Sequence, residues 1–215
     1  MKRLAPLIFA LLMFPTVALA VTAGPHDETK RLNATDMALA KKATARKADF
    51  VSGWRLVRSG RPQEDDSRCG FDPDLSPFVI TGEHERDFEH GTTAAQVASV
   101  VDVFRSTRDS VNDFKLQAKP GLLRCFKNVM LKGLRSASLT GKITTAQMSS
   151  APRIGAQSVS LRVVAMVTGK ASFPMYLDFL AFRQGRYQSV LMFTTVLAPV
   201  QGRVALARSV ARRMR

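Results

Sequence analysis

Residues 175–197 read MYLDFLAFRQGRYQSVLMFTTVL, two apolar stretches separated by a short polar segment. Gly185 can adopt positive φ, so the segment Arg183-Gln184-Gly185-Arg186 is typical of a tight hairpin turn. We predict an antiparallel hairpin with strands at 175–182 and 187–197. A two-residue turn is expected to place Phe182 opposite Tyr187 and Asp178 opposite Leu191.

Apolar stretches before this hairpin extend the predicted sheet. Residues 159–167 and 97–105 favour strands, and the second stretch is apolar on both faces, as in an interior strand. Weaker strand patterns occur at 78–81 and 142–149. Helices are predicted at 36–49, capped by Asn33 or Thr35, at 106–116, capped by Ser106, in a long segment after Pro120, and after Pro199. The fold class is therefore α+β, a twisted antiparallel sheet of about five or six strands covered by helices.

The N-terminus has the three parts of a secretory signal peptide. Lys2 and Arg3 precede the apolar run 7–14, and Ala18-Leu19-Ala20 is an A-x-A cleavage site. We predict cleavage after Ala20 and an extracytoplasmic, secreted product, with a retained N-terminal anchor as the alternative. Residues 21–34 are predicted to be a disordered leader and 35–215 a single domain, monomeric by default.

The chain has two cysteines, Cys69 and Cys125. An even number of cysteines in an exported protein favours a disulfide, and a pair of buried free thiols is the alternative. Neither cysteine has a second cysteine or a histidine at ligand spacing, so they do not indicate a metal site. We predict the disulfide.

The net charge of +15 is concentrated in the C-terminal half. Residues 1–101 contain 13 Lys/Arg and 13 Asp/Glu, whereas residues 102–215 contain 19 and four. The predicted C-terminal helix is expected to form a basic surface for an anionic envelope component or a peripheral membrane contact. The alternative is that its apolar face covers the sheet and its arginines are only solvated. The arginines concerned are Arg203, Arg208, Arg212, Arg213 and Arg215. Aromatic residues show no base-stacking pattern, so specific nucleic-acid binding is not predicted.

Residues 64–90 form a segment predicted to be turn-rich and acidic, with nine of the 17 carboxylates. Within it, His84 and His90 stand among four acidic residues. Imidazole nitrogens and carboxylate oxygens are both zinc ligands, so this cluster is a candidate metal site. A solvated charged loop is the alternative, because a spacing of six matches no known metal motif.

Asp178 stands within an apolar strand, where an ionised carboxylate is costly unless it is paired. Arg162 on the neighbouring predicted strand is its expected partner, and a structural ion pair is favoured over a catalytic acid. The sequence contains no G-x-S-x-G, H-E-x-x-H, phosphate loop or dinucleotide motif, and no cofactor is predicted. A small hydrolase or metal-dependent enzyme is kept as an alternative to a binding role.

Several features together resemble exported actinobacterial domains, including the extracellular sensor domains of receptor Ser/Thr kinases and related secreted or lipid-anchored proteins. These features are the run Asp49-Phe50-Val51-Ser52-Gly53-Trp54, an early Cys69, the strand 100–104, a long helix bearing Cys125, and the closing meander with Tyr176-Leu177-Asp178. The resemblance covers residues 35–214 and implies a sensor-like, ligand-binding domain of the cell envelope with a cleft beside its sheet. The chain lacks the kinase, the anchor and the second disulfide common in the kinase sensors.

Overall fold

The protein is described by a computed structural model over residues 27–62, 73–149, 151–169, 172–196 and 198–215. The described residues form one mixed sheet with helices packed on it, which confirms the predicted α+β class. The strands are β1 (Thr29–Lys30), β2 (Trp54–Gly60), β3 (Val79–His90), β4 (Ala95–Phe104), β5 (Thr140–Ser149), β6 (Gln157–Thr168), β7 (Phe173–Gln184) and β8 (Tyr187–Val196). The helices are α1 (Ala34–Ala43), a 3₁₀ turn (Lys47–Asp49), α2 (Thr107–Gln117), α3 (Gly121–Ser136) and α4 (Arg203–Arg213).

The sheet has eight strands, more than the five or six predicted. Its order is β3-β4-β8-β7-β6-β5, and β1 and β2 both pair with β3 on the side away from β4. The pairing is antiparallel except between β1 and β3, where Lys30 lies opposite Ile80. β2 pairs with the second half of β3, so Trp54 lies opposite His90. β2 and β5 are therefore at opposite sides of the sheet.

Alternating side chains give the sheet two buried faces. One face packs against α1 and α4, in a core that includes Val97 of β4, Ala40 of α1 and Val210 of α4. The other face packs against α2 and α3, where the rings of Phe126 and Phe179 have centroids 4.7 Å apart. The two helical layers thus bury both sides of the central strands.

Local signals in the sequence place the helix starts correctly. Asn33 caps α1 by accepting a hydrogen bond from the backbone N–H of Asp36 at 2.9 Å. Ser106 caps α2 in the same way, and the N–H of Asp109 donates to its hydroxyl at 3.0 Å. Pro120 directly precedes α3, as predicted.

Two predictions about strand geometry were wrong. The strand predicted at 78–81 continues to His90, so residues 82–90 of the predicted acidic loop belong to the long strand β3, which pairs with β4 over almost its full length. Both faces of β3 carry charged residues, so the strand lacks the apolar alternation that normally reveals one. In the hairpin, Asp178 lies opposite Phe193, because pairing continues to Gln184 and Tyr187 on either side of the Gly185–Arg186 turn.

The predicted leader is ordered from at least Thr29, because β1 joins it to β3 and α1 already begins at Ala34. Cys125 is buried on α3, and the described residues contain no free cysteine. Cys69 and the signal peptide 1–20 lie outside the described residues, so the disulfide and the cleavage stay predictions. In the part of the chain that the structure describes, no helix is long and apolar enough to cross a membrane.

Candidate functional site

The five arginines predicted to form a basic surface on α4 are divided between two roles. Arg203 forms an ion pair with Asp178, and Arg213 forms one with Asp49 at 2.7 Å. Arg208, Arg212 and Arg215 are exposed. The apolar face of α4, including Ala207, Val210 and Met214, lies in the core. The prediction of a five-arginine surface is therefore corrected to three exposed arginines, because the other two neutralise carboxylates, one on β7 and one in the 3₁₀ turn.

Asp178 is buried and held by two arginines from different elements. Arg162, its cross-strand neighbour on β6, donates from Nε to Oδ1 at 2.5 Å and from Nη2 to Oδ2 at 3.2 Å. Arg203 at the start of α4 contacts the second carboxylate oxygen. The hydrogen bonds between Arg162 and Asp178 raise the pKa of Arg162. The carboxylate thus ties β7, β6 and α4 together, and the predicted pair between Asp178 and Arg162 is present.

The second tie between α4 and the rest of the domain is centred on Asp49. Arg213 donates to both of its carboxylate oxygens, and the Ser209 hydroxyl donates to Oδ1 at 2.8 Å. Arg213 also donates to the backbone carbonyl of Thr44, at the end of α1. These bonds fix the C-terminal half of α4 beside the 3₁₀ turn.

The structure does not bring His84 and His90 together. They lie six residues apart on β3, which separates them by about 20 Å. His84 forms a hydrogen bond with Ser59, and burial, followed by the nearby cations Arg86 and Lys41, lowers its pKa to about 4. His90 packs edge-on against Trp54. Among the described residues, no group of three or more His, Cys, Asp or Glu side chains is arranged to hold a metal ion.

The largest uncompensated charge lies on α3 and its neighbours. From Lys115 to Arg215 the sequence contains 17 Lys/Arg, and Asp178 is the only carboxylate side chain. Six of these cations lie at the end of α2, in the turn that follows it and on α3. None of the six forms an ion pair with a described residue, and all but the half-buried Lys127 are exposed. We call this surface the α3 basic face: Lys115, Lys119, Arg124, Lys127, Lys132 and Arg135.

The amphipathic pattern of α3 explains how this face is presented. Phe126, Met130 and Leu134 follow a four-residue period and are at most 3% exposed, so the apolar side is used entirely in the core. Arg124 and Arg135 are three turns apart and share the opposite side, about 16 Å from each other along the helix. The helix therefore displays a row of cations, with the half-buried Leu131 between Lys127 and Arg135.

Three buried carboxylates lie on β3, far from β5 in the strand order. Glu83, Glu85 and Asp87 alternate along β3, point to one face and are at most 3% exposed. Lys30 pairs with Glu83 at 2.9 Å, and Arg58 pairs with both Glu85 and Asp87. Burial, partly opposed by Arg58, raises the pKa of Glu85 to about 7. These acids are thus compensated from β1 and β2.

A second carboxylate group joins the N-terminal segment to α2. The side-chain amide of Gln117 donates to Glu28 at 3.1 Å and to Asp113 at 2.8 Å, and Gln188 of β8 donates to Asp113 at 2.7 Å. Burial, followed by the charge of Asp113, raises the pKa of Glu28 to about 8. Burial also raises the pKa of Asp113 to about 6 and that of Asp102 well above its usual range.

The prediction from sequence assigned the basic surface to α4 and did not include α3. The charge excess after residue 101 favours α4 because five arginines lie close together there. The signal for α3 was the absence of any acidic residue between Asp113 and Asp178, together with cations spaced at 124, 127, 132 and 135. That spacing predicts one basic helical face opposite the apolar stripe. The structure shows that this face is exposed and unpaired within the described residues.

Comparison with known proteins adds no assignment for these surfaces. No protein-family model and no curated protein matches this sequence. The resemblance to extracellular sensor domains therefore stays a prediction.

Proposed function

We propose that this protein is an exported binding domain of the cell envelope that binds an anionic polymer through the α3 basic face. One observation carries the proposal: six Lys and Arg side chains lie on α3 and the segment leading into it, and no described carboxylate pairs with any of them. Several other arginines, among them Arg58, Arg162 and Arg213, are used against a buried or partly buried carboxylate. Smaller sets of exposed cations occur on α4 and at the end of α1, so the larger set on α3 is the one that best supports an external partner.

The shape of the face supports a polymer over a small anion. Arg124 and Arg135 are about 16 Å apart along α3, and Lys115 lies on a different element, α2. A single phosphate or carboxylate group cannot contact cations spread over that distance. A chain with repeating anionic groups can contact several at once and release its counterions on binding.

The apolar side of α3 argues against insertion of this helix into a bilayer. An interfacial helix needs its apolar face available to lipid, and here Phe126 and Leu134 are each 1% exposed. The contact at this face is therefore electrostatic and lies at the surface. The ligand cleft that the family resemblance implies stays a separate prediction.

The proposal is tested with long-chain polyphosphate as the probe. We expect the combined change Arg124→Gln, Lys132→Gln and Arg135→Gln to weaken binding by about 100-fold at low salt, because each cation near an anionic surface contributes about 1 kcal/mol. Glutamine preserves helix propensity. Binding of the unaltered protein should weaken steeply with salt, and the variant should show a shallower dependence.

A matched control uses the predicted surface on α4. Arg208→Gln, Arg212→Gln and Arg215→Gln together remove the same charge from exposed positions. We expect this variant to bind polyphosphate within about twofold of the unaltered protein. Equal losses in the two variants would show that net charge alone governs binding, and a larger loss from α4 would return the site to the sequence-based prediction. Either result contradicts the assignment to α3.

A further inference from the structure

Exposed apolar side chains are concentrated at the opposite side of the sheet from the α3 basic face. Four large hydrophobic residues are exposed in the described chain, and three of them occur within seven residues: Val51 at 79%, Leu56 at 47% and Val57 at 45%. We call these three residues the β2 tip. Single exposed apolar residues are ordinary on soluble proteins, whereas a cluster marks a contact surface.

Aromatic packing fixes the turn that carries Val51. The ring of Phe50 lies 5.0 Å from Trp54 and 4.5 Å from Phe88, measured between centroids. Gly53 adopts a φ of 93° and approaches His90 so closely that a Cβ there would lie 2.4 Å from its Nε2 atom. The turn is therefore held against the end of β3, and Val51 is presented to solvent from a rigid base.

A β-bulge presents the third side chain. The register between β2 and β3 shifts between Leu56 and Arg58, so Val57 is the extra residue and has no cross-strand partner. Bulges change the direction of side chains on edge strands. Edge strands usually carry charged residues that discourage association, yet β2 exposes two consecutive apolar residues here. This arrangement favours an apolar contact at the tip.

The charge around the tip indicates which apolar partner fits. Residues 41–57 contain five Lys/Arg and one carboxylate, Asp49, which Arg213 neutralises. The cations Lys41, Lys42, Arg46, Lys47 and Arg55 are all exposed. A second copy of this tip would bring the same cations face to face. Arg46, Lys47 and Arg55 are the cations nearest to the tip in sequence, and the carboxylates Asp49 and Glu89 are already paired, with Arg213 and Arg55. Exposed apolar side chains flanked by cations complement a bilayer of anionic phospholipid, which offers hydrocarbon below a layer of phosphates.

We propose that the β2 tip is a peripheral membrane-docking site that inserts Val51, Leu56 and Val57 into an anionic phospholipid bilayer. The site is distinct from the α3 basic face. The six strand intervals from β2 to β5 separate the two surfaces by about 29 Å across the sheet. The two surfaces also lie on elements of opposite faces, since Phe50 and Trp54 beside the tip belong to the core of α1 and α4, whereas α3 covers the other face.

The first test measures partition onto vesicles of equal parts phosphatidylglycerol and phosphatidylcholine. Combined Val51→Ser, Leu56→Ser and Val57→Ser changes should lower the partition coefficient by about tenfold or more, because several buried methyl and methylene groups are lost. Met166→Ser is the matched control, since Met166 is the remaining exposed large hydrophobic, at 37%, on β6. We expect that control to remain within about twofold.

Trp54 provides a second readout because it is the only tryptophan and underlies the tip. Phosphatidylcholine with brominated acyl chains, mixed into the same vesicles, should quench its fluorescence on binding. The quenching should persist when Arg124, Lys132 and Arg135 are changed to Gln, which separates this site from the polymer site. Absence of vesicle binding, equal binding of the triple serine variant, or binding without Trp54 quenching would each overturn the proposal.

Discussion

The two ends of the strand order use charge in opposite ways. At β3, Glu83, Glu85 and Asp87 are buried and compensated by Lys30 and Arg58 from neighbouring strands. On α3, which packs over β5 and β6 at the other end, and in the segment leading into it, six cations are displayed without a described partner. A buried charge must be matched within the fold, so its partners are structural. An exposed charge of one sign carries no such requirement and is open to an external ligand. The comparison therefore separates charges that hold this fold from charges that we propose serve binding.

The largest effect on stability is expected when the cation shared by Glu85 and Asp87 is removed. Arg58→Met should leave these two fully buried carboxylates without their arginine partner and lower the free energy of unfolding by about 3–5 kcal/mol. The melting temperature should fall by roughly 10 °C for a domain of this size. Thermal unfolding followed by circular dichroism measures the effect.

Arg55→Met is the control for that change, because Arg55 lies on the same strand and pairs with Glu89 at the surface. Its side chain is 72% exposed, so the loss should stay below about 1 kcal/mol. Similar melting temperatures for the two variants would show that the Arg58 cluster is no more structural than a surface ion pair.

The next largest effect is expected at the single carboxylate of the basic half. Asp178→Asn keeps the shape of the side chain but leaves Arg162 and Arg203 without an anion between them. Because Asp178 is only 4% exposed, we expect a loss of about 2 kcal/mol. A double-mutant cycle with Arg162→Met measures how much of that loss comes from this pair. An unchanged melting temperature for Asp178→Asn would remove the structural role of the residue.

The elements that could be predicted from the sequence are those with a clear apolar periodicity and a turn or helix-capping residue at one end. The strands on either side of Gly185, the capped start of α2 at Ser106 and the helix after Pro120 all appear where expected. Each depends on side chains close in sequence, because caps and turns are local interactions. The pair of Asp178 with Arg162 followed in the same way from adjacent strands.

The features that could not be predicted depend on partners distant in sequence. β3 is charged on both faces. It becomes an interior strand only because β1 and β2, from an earlier part of the chain, pair with the edge that β4 leaves open. Whether an arginine of α4 is free depends on Asp49 or Asp178, far away in the chain. The β2 tip combines a turn, a bulge and the aromatic residues beneath them. None of these has a periodic signature, so the tip was missed.

A pH titration sharpens the comparison for the network at Glu28. Its folded-state pKa of about 8 lies above the ordinary 4.5, so the folded protein holds a proton that the unfolded chain loses. Stability should therefore fall as pH rises through that range, by about 1 kcal/mol between pH 7 and 9. His84, with a pKa lowered to about 4, contributes the opposite slope only below about pH 6.5.

Glu28→Gln tests this origin, because glutamine stays neutral and can still accept the hydrogen bond from Gln117. Melting temperatures measured from pH 7 to 9 should decline in the unaltered protein and remain nearly constant in the variant. An equal decline in both would assign the pH dependence to other groups, of which Glu85 is the first to test because its pKa is about 7.

The smallest effect on stability is expected where the effect on binding is largest. Arg124→Gln, Lys132→Gln and Arg135→Gln together should change the free energy of unfolding by about 0.5 kcal/mol or less, because the three side chains are exposed and have no described ion pair. Removing mutual repulsion should make the change stabilising. A loss comparable to that of Arg58→Met would mean that the α3 cations also hold the fold. The absence of an ion pair at these cations would then no longer indicate a ligand. The melting temperature of the triple glutamine variant therefore decides whether its loss of polymer binding can be assigned to the α3 basic face.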